Sequence, residues 1–553
     1  MNARNWEVLL ALHPDREAVR IAIEGIKFGA KILYAGPLKG RTAANLKSAD
    51  DHREAVSKDI DKEVKAGRIA GPFPCPPATP FVVSPIGTVP KKGTDEVRRI
   101  HHLSHPAGQS VNDYVDDVQL SYASFDVSNP FPVLQADHSL TTDVQTAVRM
   151  VQALGRNCLL AKIDVKAAFR CVAVHPSDRW LLGMKWCGSF YADLALPFGL
   201  KSSPAIWERY AALAEWMAHR NGAPHAIHYV DDFLVGGAPA PSQECAAAVE
   251  ALIKLFERLG IPVNVAKLVL EGSPATIARF LGILIDTARM EARLDPERLE
   301  AIISTLQLWL NRSHCTDRDL QSLIGVLAFA SKVVPAGRTF LRRMLATLAG
   351  AHNKKHIPLT KEFRADVRWW LEFARPWNGV ALLPDSHWSS PGCPIPLQAP
   401  KLELFTDACN TGFGAVWGGK WLHGQWSPQQ LAAAQRKNKL SMPYLEMLAV
   451  AIALSTWGHL LTAKRITIRS DSETSVAAIN GGACRDERLM QLVRTVLFIA
   501  ARQQFALRCE HVPGTSNTAA DALSRGRVQE FKASFPKHDS GPTPITLPPT
   551  QIW

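Results

Sequence analysis

The sequence lacks the features that mark several common classes of protein. Its 10 cysteines are scattered and no two have C-x-x-C spacing, which argues against a zinc knuckle or a disulfide framework and favours a reducing compartment. No uncharged apolar run approaches the ~20 residues that span a membrane, and the charged N-terminus, MNARNWE, has no signal-peptide core. We therefore expect an intracellular protein, cytoplasmic or nuclear, that is not secreted and has no membrane partner.

The composition is that of a globular chain with a basic excess. Of the 553 residues, 47% are hydrophobic and 21% are charged, which excludes a mostly disordered, collagenous or coiled-coil protein. At ~150 residues per domain, the length predicts three or four domains. The 63 Lys and Arg outnumber the 51 Asp and Glu, for a net charge of +12. Nucleic acid is the commonest partner of such a charge, and an inert basic surface is the equally weighted alternative.

Turn residues and apolar spacing divide the first half of the chain. Residues 1–55 are expected to be helical, without a motif of their own. A charged helix over 56–66 is expected to end at Gly67, before a Pro-rich extended stretch from Gly71 to Pro90. The elements predicted after it are a strand at 97–103, a strand at 159–165, a helix at 204–220 and a hairpin at 226–235.

Two well-marked helices open the second half. Asp295-Pro296 starts one of them, and Thr316 with its capping-box partner Asp319 starts the other. They predict a helical subdomain over 291–383, and a Pro/Gly/Ser-rich linker follows at 384–400. The elements predicted beyond it are strands at 402–408, 413–418 and 421–426, a helix from 443, a strand at 465–470, helices to 503 and a strand at 505–511. The tail over 527–553 has five prolines and is expected to be disordered.

Three acids in the first half form a candidate catalytic site. Asp231 and Asp232 stand in Y-V-D-D between apolar strand residues, and Asp164 ends an earlier apolar strand. Adjacent charges at the tip of an apolar hairpin are costly unless they pair or bind cations. Carboxylates brought together by two strands suit Mg²⁺, and two such ions can activate a 3′-hydroxyl and stabilise a leaving pyrophosphate. Alone, Y-V-D-D is a weak signal, and an ordinary turn is the alternative.

The neighbouring blocks strengthen the signal. Phe169 follows Asp164 by five residues, and Phe198-Gly199 lies in L-P-F-G-L-K-S-S-P. Glycine there lets the backbone approach a flat nucleobase closely. Lys267 follows in N-V-A-K, and the basic stretch S-P-I-G-T-V-P-K-K leads to Arg98 and Arg99, where a hairpin could hold a triphosphate.

In their order and spacing, six blocks between about 60 and 290 resemble the reverse transcriptase family. The resemblance implies fingers and palm over 56–290, a helical thumb or connection over 291–383, and an N-terminal extension over 1–55. The roles that it implies are metal ligands (Asp164, Asp231, Asp232), a steric gate against the sugar 2′-hydroxyl (Phe169), pocket residues (Phe198, Gly199, Tyr229), finger residues near the triphosphate (Lys92, Arg98) and a group near the leaving pyrophosphate (Lys267). A plain core role is the alternative for Phe169.

Longer phrases point to a subfamily. G-R-I-A-G-P-F, S-V-N-D, A-K-I-D-V-K-A-A-F-R and L-I-G-V-L-A-F-A-S-K-V-V-P-A-G-R resemble the tyrosine-recombinase (DIRS-type) retrotransposons. The resemblance implies a recombinase, and a capsid-type protein, on other chains of the element.

A second set of acids follows the linker. Asp407 and Asp471 each end a predicted strand, Glu446 lies on a helix, and Asp521 opens one. If the two strands pair, the strand-end acids become neighbours that the helical acids can reach, and four converging carboxylates call for divalent cations. His511 precedes Asp521 by ten residues, in a loop from which it could position water or help product leave.

This second set resembles ribonuclease H over 401–526. The match covers the four acids, the His511 loop and the order of strands and helices. Four surface acids of an ordinary α/β domain are the alternative. The fold class expected for the whole chain is therefore multidomain α/β and α+β, a right-hand polymerase followed by a ribonuclease H-like domain.

Three other signals have plainer explanations. Asp539-Ser540-Gly541 spells an aspartic-protease triplet, but it lies in the Pro-rich tail with no strands around it. The pair His101-His102 has no ligand partner at metal spacing and fits a strand end. Aromatic stacking on bases is an alternative to a core role for three tryptophans, Trp369, Trp370 and Trp377, although their helical spacing favours the core.

Together these patterns predict a DNA polymerase that copies RNA and then DNA, with ribonuclease H activity on the hybrid. The expected partners are an RNA template, a DNA primer, an RNA–DNA hybrid and dNTPs, and the expected cofactor is Mg²⁺, two per active site, with Mn²⁺ possible. Two alternatives stay open: a domesticated nucleic-acid-binding protein that has lost polymerisation, and a ribonuclease H nuclease whose N-terminal part only grips substrate.

Overall fold

The computed structural model describes most of the chain and divides it into two compact units. The described residues are 1–90, 96–116, 144–334, 336–350, 356–376, 378–381, 401–436, 439–462, 464–503 and 505–548. The first unit is Met1–Leu281 and the second is Gly282–Trp553. The predicted linker at 384–400 lies outside the described residues. Within the described part of the chain, no helix is long and apolar enough to cross a membrane.

The first unit combines eight described helices with eleven described strands. Its helices are α1 Ala3–Leu9, α2 Arg16–Phe28, α3 Lys47–Asp51, α4 Arg53–Lys65, α5 Val144–Leu154, α6 Ser203–Arg220, α7 Glu244–Leu259 and α8 Val265–Glu271. Its strands are β1 Arg41–Thr42, β2 Ile69–Phe73, β3 Val82–Val83, β4 Ile86–Pro90, β5 Val97–His101, β6 Leu159–Asp164, β7 Gly183–Trp186, β8 Ser189–Asp193, β9 Ala226–Tyr229, β10 Asp232–Gly237 and β11 Ile277–Phe280.

The small sheet β6–β10–β9 is the part of this unit that positions the site. A second sheet has the order β1–β3–β7–β8–β2, and β4 and β5 form an antiparallel ribbon. Helices α6 and α7 pack on β9 and β10, and Trp207, Phe233 and Phe256 are fully buried between them. The predicted hairpin, the helix at 204–220 and the strand at 159–165 are confirmed to within two residues.

The N-terminal segment is only partly helical. Asp15 caps α2 by accepting a hydrogen bond from the Ala18 amide at 2.8 Å, and Gly29, with a φ of 92°, ends the helix. From there to residue 46 the chain is mostly extended. The Ala30 amide donates to the Ala173 carbonyl at 2.7 Å, so this stretch takes its hydrogen bonds from another segment and does not form the helix expected over 1–55.

The second unit contains ten described helices. They are α9 Pro296–Leu310, α10 Asp317–Ala330, α11 Arg342–Ala349, α12 Lys361–Phe373, α13 Pro428–Ala434, α14 Met442–Trp457, α15 Glu473–Gly481, α16 Glu487–Gln503, α17 Thr518–Ser524 and α18 Val528–Ser534. The strands are β12 Ile283–Asp286, β13 Glu291–Leu294, β14 His314–Cys315, β15 Ile357–Pro358, β16 Val380–Ala381, β17 Lys401–Ala408, β18 Gly412–Trp417, β19 Lys420–Gln425, β20 Gln435–Arg436, β21 Lys439–Leu440, β22 Arg465–Ser470 and β23 Ala506–His511.

The helical part of this unit confirms its start signals. Asp295 caps α9, and the Thr316–Asp319 capping box is formed at the start of α10. Trp369 and Trp370 are fully buried on α12, and Phe340 stacks on Trp369 with 4.1 Å between ring centroids. These two tryptophans are therefore core residues. Trp377 lies outside the described residues.

The part of the unit beyond residue 400 contains a five-stranded sheet with the order β19–β18–β17–β22–β23. Strand β17 is antiparallel to β18 and parallel to β22, and β22 is parallel to β23. Helix α14 is buried along almost its whole length, as its apolar sequence requires. The predicted mixed α/β content and the element order of this region are confirmed.

The prediction of a disordered tail over 527–553 is wrong for residues 527–548. Helix α18 buries Phe531 against Trp421 and Leu523, and the chain beyond it runs along the edge strand β19. There the Thr543 amide donates to the Trp421 carbonyl at 2.7 Å, and Trp421 Nε1 donates to the Asp539 carbonyl at 2.7 Å. The proline count hid the apolar residues that hold this segment to the sheet.

We expect Phe531→Ala to destabilise the second unit by ~3–5 kcal/mol, because it removes a fully buried aromatic ring from the contact between the tail and the sheet. Urea unfolding followed by tryptophan fluorescence measures the change. Gln529→Ala, on the exposed face of the same helix, is the matched control. An equal midpoint for the two variants would mean that the tail adds no stability.

Candidate active sites

Strand pairing brings the three acids of the first unit together. Strands β6 and β10 are antiparallel, with Asp232 directly opposite Asp164. In the adjoining hairpin Asp232 also pairs with Tyr229 on β9, so Val230 and Asp231 form a two-residue turn. The pairing register therefore places all three carboxylates at one end of the small sheet.

The tight turn is held by bonds to its backbone. Val230 has a φ of +53°, which is unusual for a β-branched residue and must be stabilised by its surroundings. Trp207 Nε1 donates to the Val230 carbonyl at 2.7 Å, and the Val165 amide donates to the Asp231 carbonyl at 2.8 Å. Trp207 is fully buried on α6, so the helix beneath the sheet fixes the position of the acidic turn.

Asp164 is buried and carries two side-chain partners. Its Oδ1 accepts a hydrogen bond from Asn264 Nδ2 at 2.8 Å, and its Oδ2 pairs with Lys267 Nζ at 2.6 Å. Although burial disfavours its charge, the bond to Asp164 and the nearby acids raise the pKa of Lys267. The lysine side chain is 48% exposed, so it can leave Asp164 at small cost.

The surroundings of the other two acids disfavour their ionised forms. Burial raises the pKa of Asp231, and the charge of Asp164 adds to the effect. Burial also raises the pKa of Asp232, although Lys162 opposes the shift from 3.2 Å. Carboxylate oxygens in this state suit a divalent cation, whose charge would offset the burial and the mutual repulsion that raise both pKa values.

A cleft of about 580 Å³ opens beside these acids. Arg98 stands over the Phe198 ring at 5.1 Å, and the rings of Phe198 and Phe169 lie 5.3 Å apart. All three residues line the cleft together with Asp164 and Lys267. The structure therefore brings one residue of each predicted group, the gate Phe169, the pocket residue Phe198 and the finger residue Arg98, to one space of ligand size.

Two predicted pocket residues do not line this cleft. Tyr229 is half-buried on β9. Gly199 has a φ of +107°, and a Cβ there would lie 2.1 Å from the His101 carbonyl oxygen, so it is needed where two backbones meet. Lys92 lies outside the described residues.

Arg98 and Arg99 both line the cleft but have different partners. Arg98 is exposed over Phe198, whereas Arg99 Nε is bonded to Asp59 Oδ2 at 2.7 Å. His101 is buried between Asp193 Oδ2 at 3.0 Å and the Gly183 carbonyl at 3.1 Å. His101 is therefore a structural residue of the strand end.

Sequence reasoning missed a buried ion network behind the cleft. Arg170 pairs with Asp193 at 2.7 Å and with Glu63 at 3.0 Å, and Arg68 holds Glu63 from the other side at 2.6 Å. Burial alone would raise the pKa of Asp193, but Arg170 and His101 hold it well below its usual range. This network ties α4 and β8 to the turn that carries Phe169. The only sequence signal for it was an arginine next to that phenylalanine.

A second missed network lies beneath the acidic turn. His228 on β9 is buried, with Nδ1 at 2.5 Å from Glu215 and Nε2 at 3.0 Å from Glu208. Although burial opposes the charged form, these two carboxylates raise the pKa of His228 to about 10. The imidazolium therefore joins β9 to two turns of α6. Nothing in H-Y-V-D-D alone points to its partners.

The register of the second unit creates its acidic site. In the parallel pair β17–β22, Phe405 is level with Arg469, so Asp407 and Asp471 stand side by side at the carboxyl ends of the strands. Glu446 on α14 faces them, and its Oε1 accepts a hydrogen bond from the Ala408 amide at 3.1 Å. One oxygen of each of these three acids lies within 4.8 Å of the others, as the sequence predicted for the strand-end pair.

Burial and mutual repulsion dominate the electrostatics of this cluster. They raise the pKa of Glu446 to about 9, with Asp407 and Asp471 as the charged neighbours. Burial raises the pKa of Asp407 to about 6, against a hydrogen bond from the Ser524 hydroxyl. Glu446 Oε2 is buried, and it has no hydrogen-bond partner among the described residues. Oxygen donors that are crowded and unpaired in this way fit a divalent cation.

Two predicted residues of this site lie at its edge. Asp521 is not one of the three clustered acids, and its carboxylate is paired with Arg525 at 2.7 Å and with Arg527. His511 is exposed at the end of β23, opposite Ser470 in the strand register. The missed residues are Ser524, and Asn517, whose Nδ2 donates to the Thr406 carbonyl at 2.9 Å.

Comparison with known families agrees with this geometry. Residues 89–285 match the model described as reverse transcriptase (RNA-dependent DNA polymerase), and residues 398–501 match an RNase H-like domain found in reverse transcriptase. The chain holds a reverse transcriptase domain followed by an RNase H-like domain. Asp164, Asp231 and Asp232 all lie inside the first match. The RNase H match contains Asp407, Glu446 and Asp471, and ends before Asp521.

Similar proteins are polyproteins of viruses and transposons. Polyprotein P3 of Commelina yellow mottle virus is 24% identical over 68% of this chain and 18% of its own length. The transposon Tf2-3 polyprotein of Schizosaccharomyces pombe is 23% identical over 66% and 25%, and the enzymatic polyprotein of figwort mosaic virus is 25% identical over 66% and 50%. The chain therefore spans half or less of the length of these relatives. A solved foamy viral protease-reverse transcriptase in complex with dsDNA is 16% identical, with a TM-score of 0.48, over 93% of this chain and 98% of that one.

We expect Phe169→Ala to relax sugar selection in the reverse transcriptase domain. The ring lines the cleft next to Asp164, where it would clash with the 2′-hydroxyl of a ribonucleotide, and a displacement of about 1 Å at the reacting centre can cost ~100-fold in rate. The measurement is kcat/KM for ribo- and deoxyribonucleotides. Phe190→Ala, a half-buried aromatic on β8, is the control. An unchanged ratio in folded Phe169→Ala would contradict the gate.

We expect His228→Gln to destabilise the first unit in a pH-dependent way. A folded pKa of about 10, above the ordinary 6.5, means that the charged histidine stabilises the fold fully below pH 6.5 and loses this contribution as the pH rises to 10. The variant should therefore lose ~3–5 kcal/mol at pH 6.5 and much less near pH 10, by urea unfolding. His102→Gln is the control. A pH-independent loss would show that His228 is not charged in the fold.

Proposed function

We propose that the chain is an RNA-directed and DNA-directed DNA polymerase with ribonuclease H activity. The observation that carries the proposal is the register of β6 with β10, which sets Asp232 opposite Asp164 inside the matched reverse transcriptase domain, next to a cleft that Asp164 and Asp231 line. A cluster of three carboxylates inside the matched RNase H-like domain supports the second activity. Its substrates would be an RNA template, a DNA primer and dNTPs.

The residues of the first site suit nucleotidyl transfer. Asp164, Asp231 and Asp232 would hold two divalent cations, which supply an activated 3′-hydroxyl and a neutralised pyrophosphate. Lys267 would pass from Asp164 to the phosphates of the nucleotide, because a cation at the carboxylates replaces its charge there. The phosphates would take the place of Asp164 as the negative partner of its ammonium group, so Lys267 can hold a proton near the leaving group.

The cleft residues suit binding of a dNTP. The Arg98 guanidinium is exposed over Phe198, where it can pair with triphosphate oxygens in the bidentate manner of arginine. Phe198 and Phe169 offer a flat apolar surface to the nucleoside, and Phe169 would exclude the 2′-hydroxyl. The buried Arg170 network keeps this surface in place, because it anchors the turn that carries Phe169.

The second site suits cleavage of the RNA strand of a hybrid. Asp407, Glu446 and Asp471 would hold the cations, which supply a nucleophilic water and stabilise the leaving oxygen. Ser524 and the Ala408 amide orient Asp407 and Glu446 through their hydrogen bonds. Exposed His511 would move a proton to or from water or product at the edge of the site.

Mg²⁺ is the proposed cation at both sites, two per site, with Mn²⁺ as a substitute. All proposed ligands are carboxylate oxygens, which suit these hard cations and not the softer metals that prefer sulfur or imidazole. The raised pKa values of Asp407 and Glu446 mean that cation binding displaces protons.

We further propose that the chain comes from a retrotransposon of the DIRS type and acts inside the cell, in the cytoplasm or nucleus. The long sequence phrases that resemble those of DIRS-type elements, such as A-K-I-D-V-K-A-A-F-R, support the assignment to this subfamily. The nine described cysteines are free thiols, which fits a reducing compartment. A tyrosine recombinase gene beside the coding sequence would test the assignment.

Primer extension on a homopolymer RNA template with Mg²⁺ tests the main proposal. Extension together with loss of the RNA strand supports both activities. RNA loss without extension would favour a nuclease whose N-terminal part only grips substrate. Binding without either activity would favour a domesticated nucleic-acid-binding protein.

The two activities should be separable by single substitutions. Asp231→Asn should reduce extension by ~100-fold or more, because it removes a charged ligand where charge develops, and should leave hybrid cleavage largely intact. Glu446→Gln should do the reverse. The measurement is both activities on one labelled hybrid, with Asp286→Asn and Glu473→Gln as controls outside the two sites. Loss of both activities in either folded variant would favour a single shared site.

A further inference from the structure

Asp521 stands at the edge of the carboxylate cluster and is held by two arginines. Its Oδ1 accepts a hydrogen bond from Arg525 Nε at 2.7 Å, and its Oδ2 pairs with Arg527. Asp407, Glu446 and Asp471 form the cluster without it. In this state two guanidinium groups neutralise a carboxylate that the family resemblance counts among the metal ligands.

Both arginines are open to a ligand. Their side chains are 56% and 43% exposed, and that of Asp521 is 28% exposed. Ion pairs that are this exposed contribute little to stability, so either partner can readily exchange the other for a different charged group. A phosphate offers each guanidinium the same bidentate partner as a carboxylate does. The nucleic-acid backbone is therefore a competitor of Asp521 for the two arginines.

The backbone around these residues is fixed. Arg525 and Arg527 flank Gly526 in the short turn between α17 and α18, and Phe531 anchors α18 in the core. Just before the turn, Ser524 donates to Asp407. The segment 524–527 therefore contacts the cluster through Ser524 and holds Asp521 through its arginines, so an exchange of partners needs side-chain motion alone.

We propose that Arg525 and Arg527 are positioning residues that hold Asp521 away from the cluster in the free protein and give it up when they pair with the phosphates of a bound hybrid. Asp521 then becomes the fourth carboxylate of the site. The inference rests on the proposed ribonuclease H function of this domain. This exchange of arginine partners makes hybrid binding and cation binding cooperative.

Cooperativity of this kind is reciprocal. If hybrid raises the affinity of the cluster for a cation, the cation raises the affinity for hybrid by the same factor. In the free protein the cluster offers three carboxylates with two cationic groups beside them. With hybrid bound, it offers four carboxylates. Removal of the arginines should imitate the effect of hybrid on cation affinity.

Mn²⁺ binding to the full chain, followed by electron paramagnetic resonance, tests this directly. All proteins carry Asp231→Asn to weaken the polymerase site, and Asp471→Asn identifies the part of the signal that belongs to the cluster. The nucleic acid is a hybrid whose RNA strand carries 2′-O-methyl groups, so it is not cleaved. We expect hybrid to tighten Mn²⁺ binding to the parent protein about 5-fold or more. In the absence of hybrid, we expect the double variant Arg525→Gln/Arg527→Gln to bind Mn²⁺ more tightly than the parent by the same factor.

Two variants separate this effect from a general loss of charge. Arg502→Gln removes a 63%-exposed arginine elsewhere on the same domain and should leave Mn²⁺ affinity unchanged. Arg525→Lys/Arg527→Lys keeps both charges and should restore the original affinity. If the double glutamine variant is poorly folded by its thermal transition, the single variants Arg525→Gln and Arg527→Gln replace it, each with part of the effect.

The outcomes are distinct. Equal Mn²⁺ affinity in the parent and the glutamine variants, or equal tightening by hybrid in both, overturns the proposed exchange while the ribonuclease H function stands. A signal that does not change with Asp471→Asn means that the cluster binds no cation. That result overturns the proposed ribonuclease H function and this inference with it.

Discussion

Repulsion between carboxylates at strand ends is the constraint around which both sites are built. An antiparallel register sets Asp232 against Asp164 in one unit, and a parallel register sets Asp471 beside Asp407 in the other. Each arrangement costs free energy without a counter-charge, because burial and proximity both disfavour the ionised forms. The fold supplies the remaining stability from its core, and a cation recovers the cost when it binds.

The two sites meet this constraint by different means. In the first, lysines supply the counter-charge, with Lys267 on Asp164 and Lys162 on Asp232. In the second, the pKa of Glu446 rises to about 9, so a proton bound to Glu446 limits the charge at neutral pH. A cation must therefore displace an ammonium group at one site and protons at the other.

Buried ion networks hold the scaffold behind both sites. The His228 cluster fastens β9 to α6 beneath the acidic turn, and Arg170 fastens the turn after Asp164 to α4 and β8. In the second unit, Asp366 on α12 pairs with Arg343 and with Arg494 on α16, which joins the helical part to the RNase H-like domain. Such pairs are costly when broken, because each partner left behind is a buried charge. They therefore fix the relative positions of elements that lie far apart in the sequence.

Local patterns determined the elements and the acids, and the tertiary structure decided their partners. Apolar spacing and caps predicted the hairpin, the helices at Pro296 and Asp317, and the strands that end in Asp407 and Asp471, because these depend on neighbours in the chain. The pairs Arg170–Glu63 and His228–Glu208 were not predictable, since side chains that are distant in the sequence meet only after packing. The tail shows the same division: its prolines indicated disorder, but Phe531 finds a buried place that exists only once the sheet has formed.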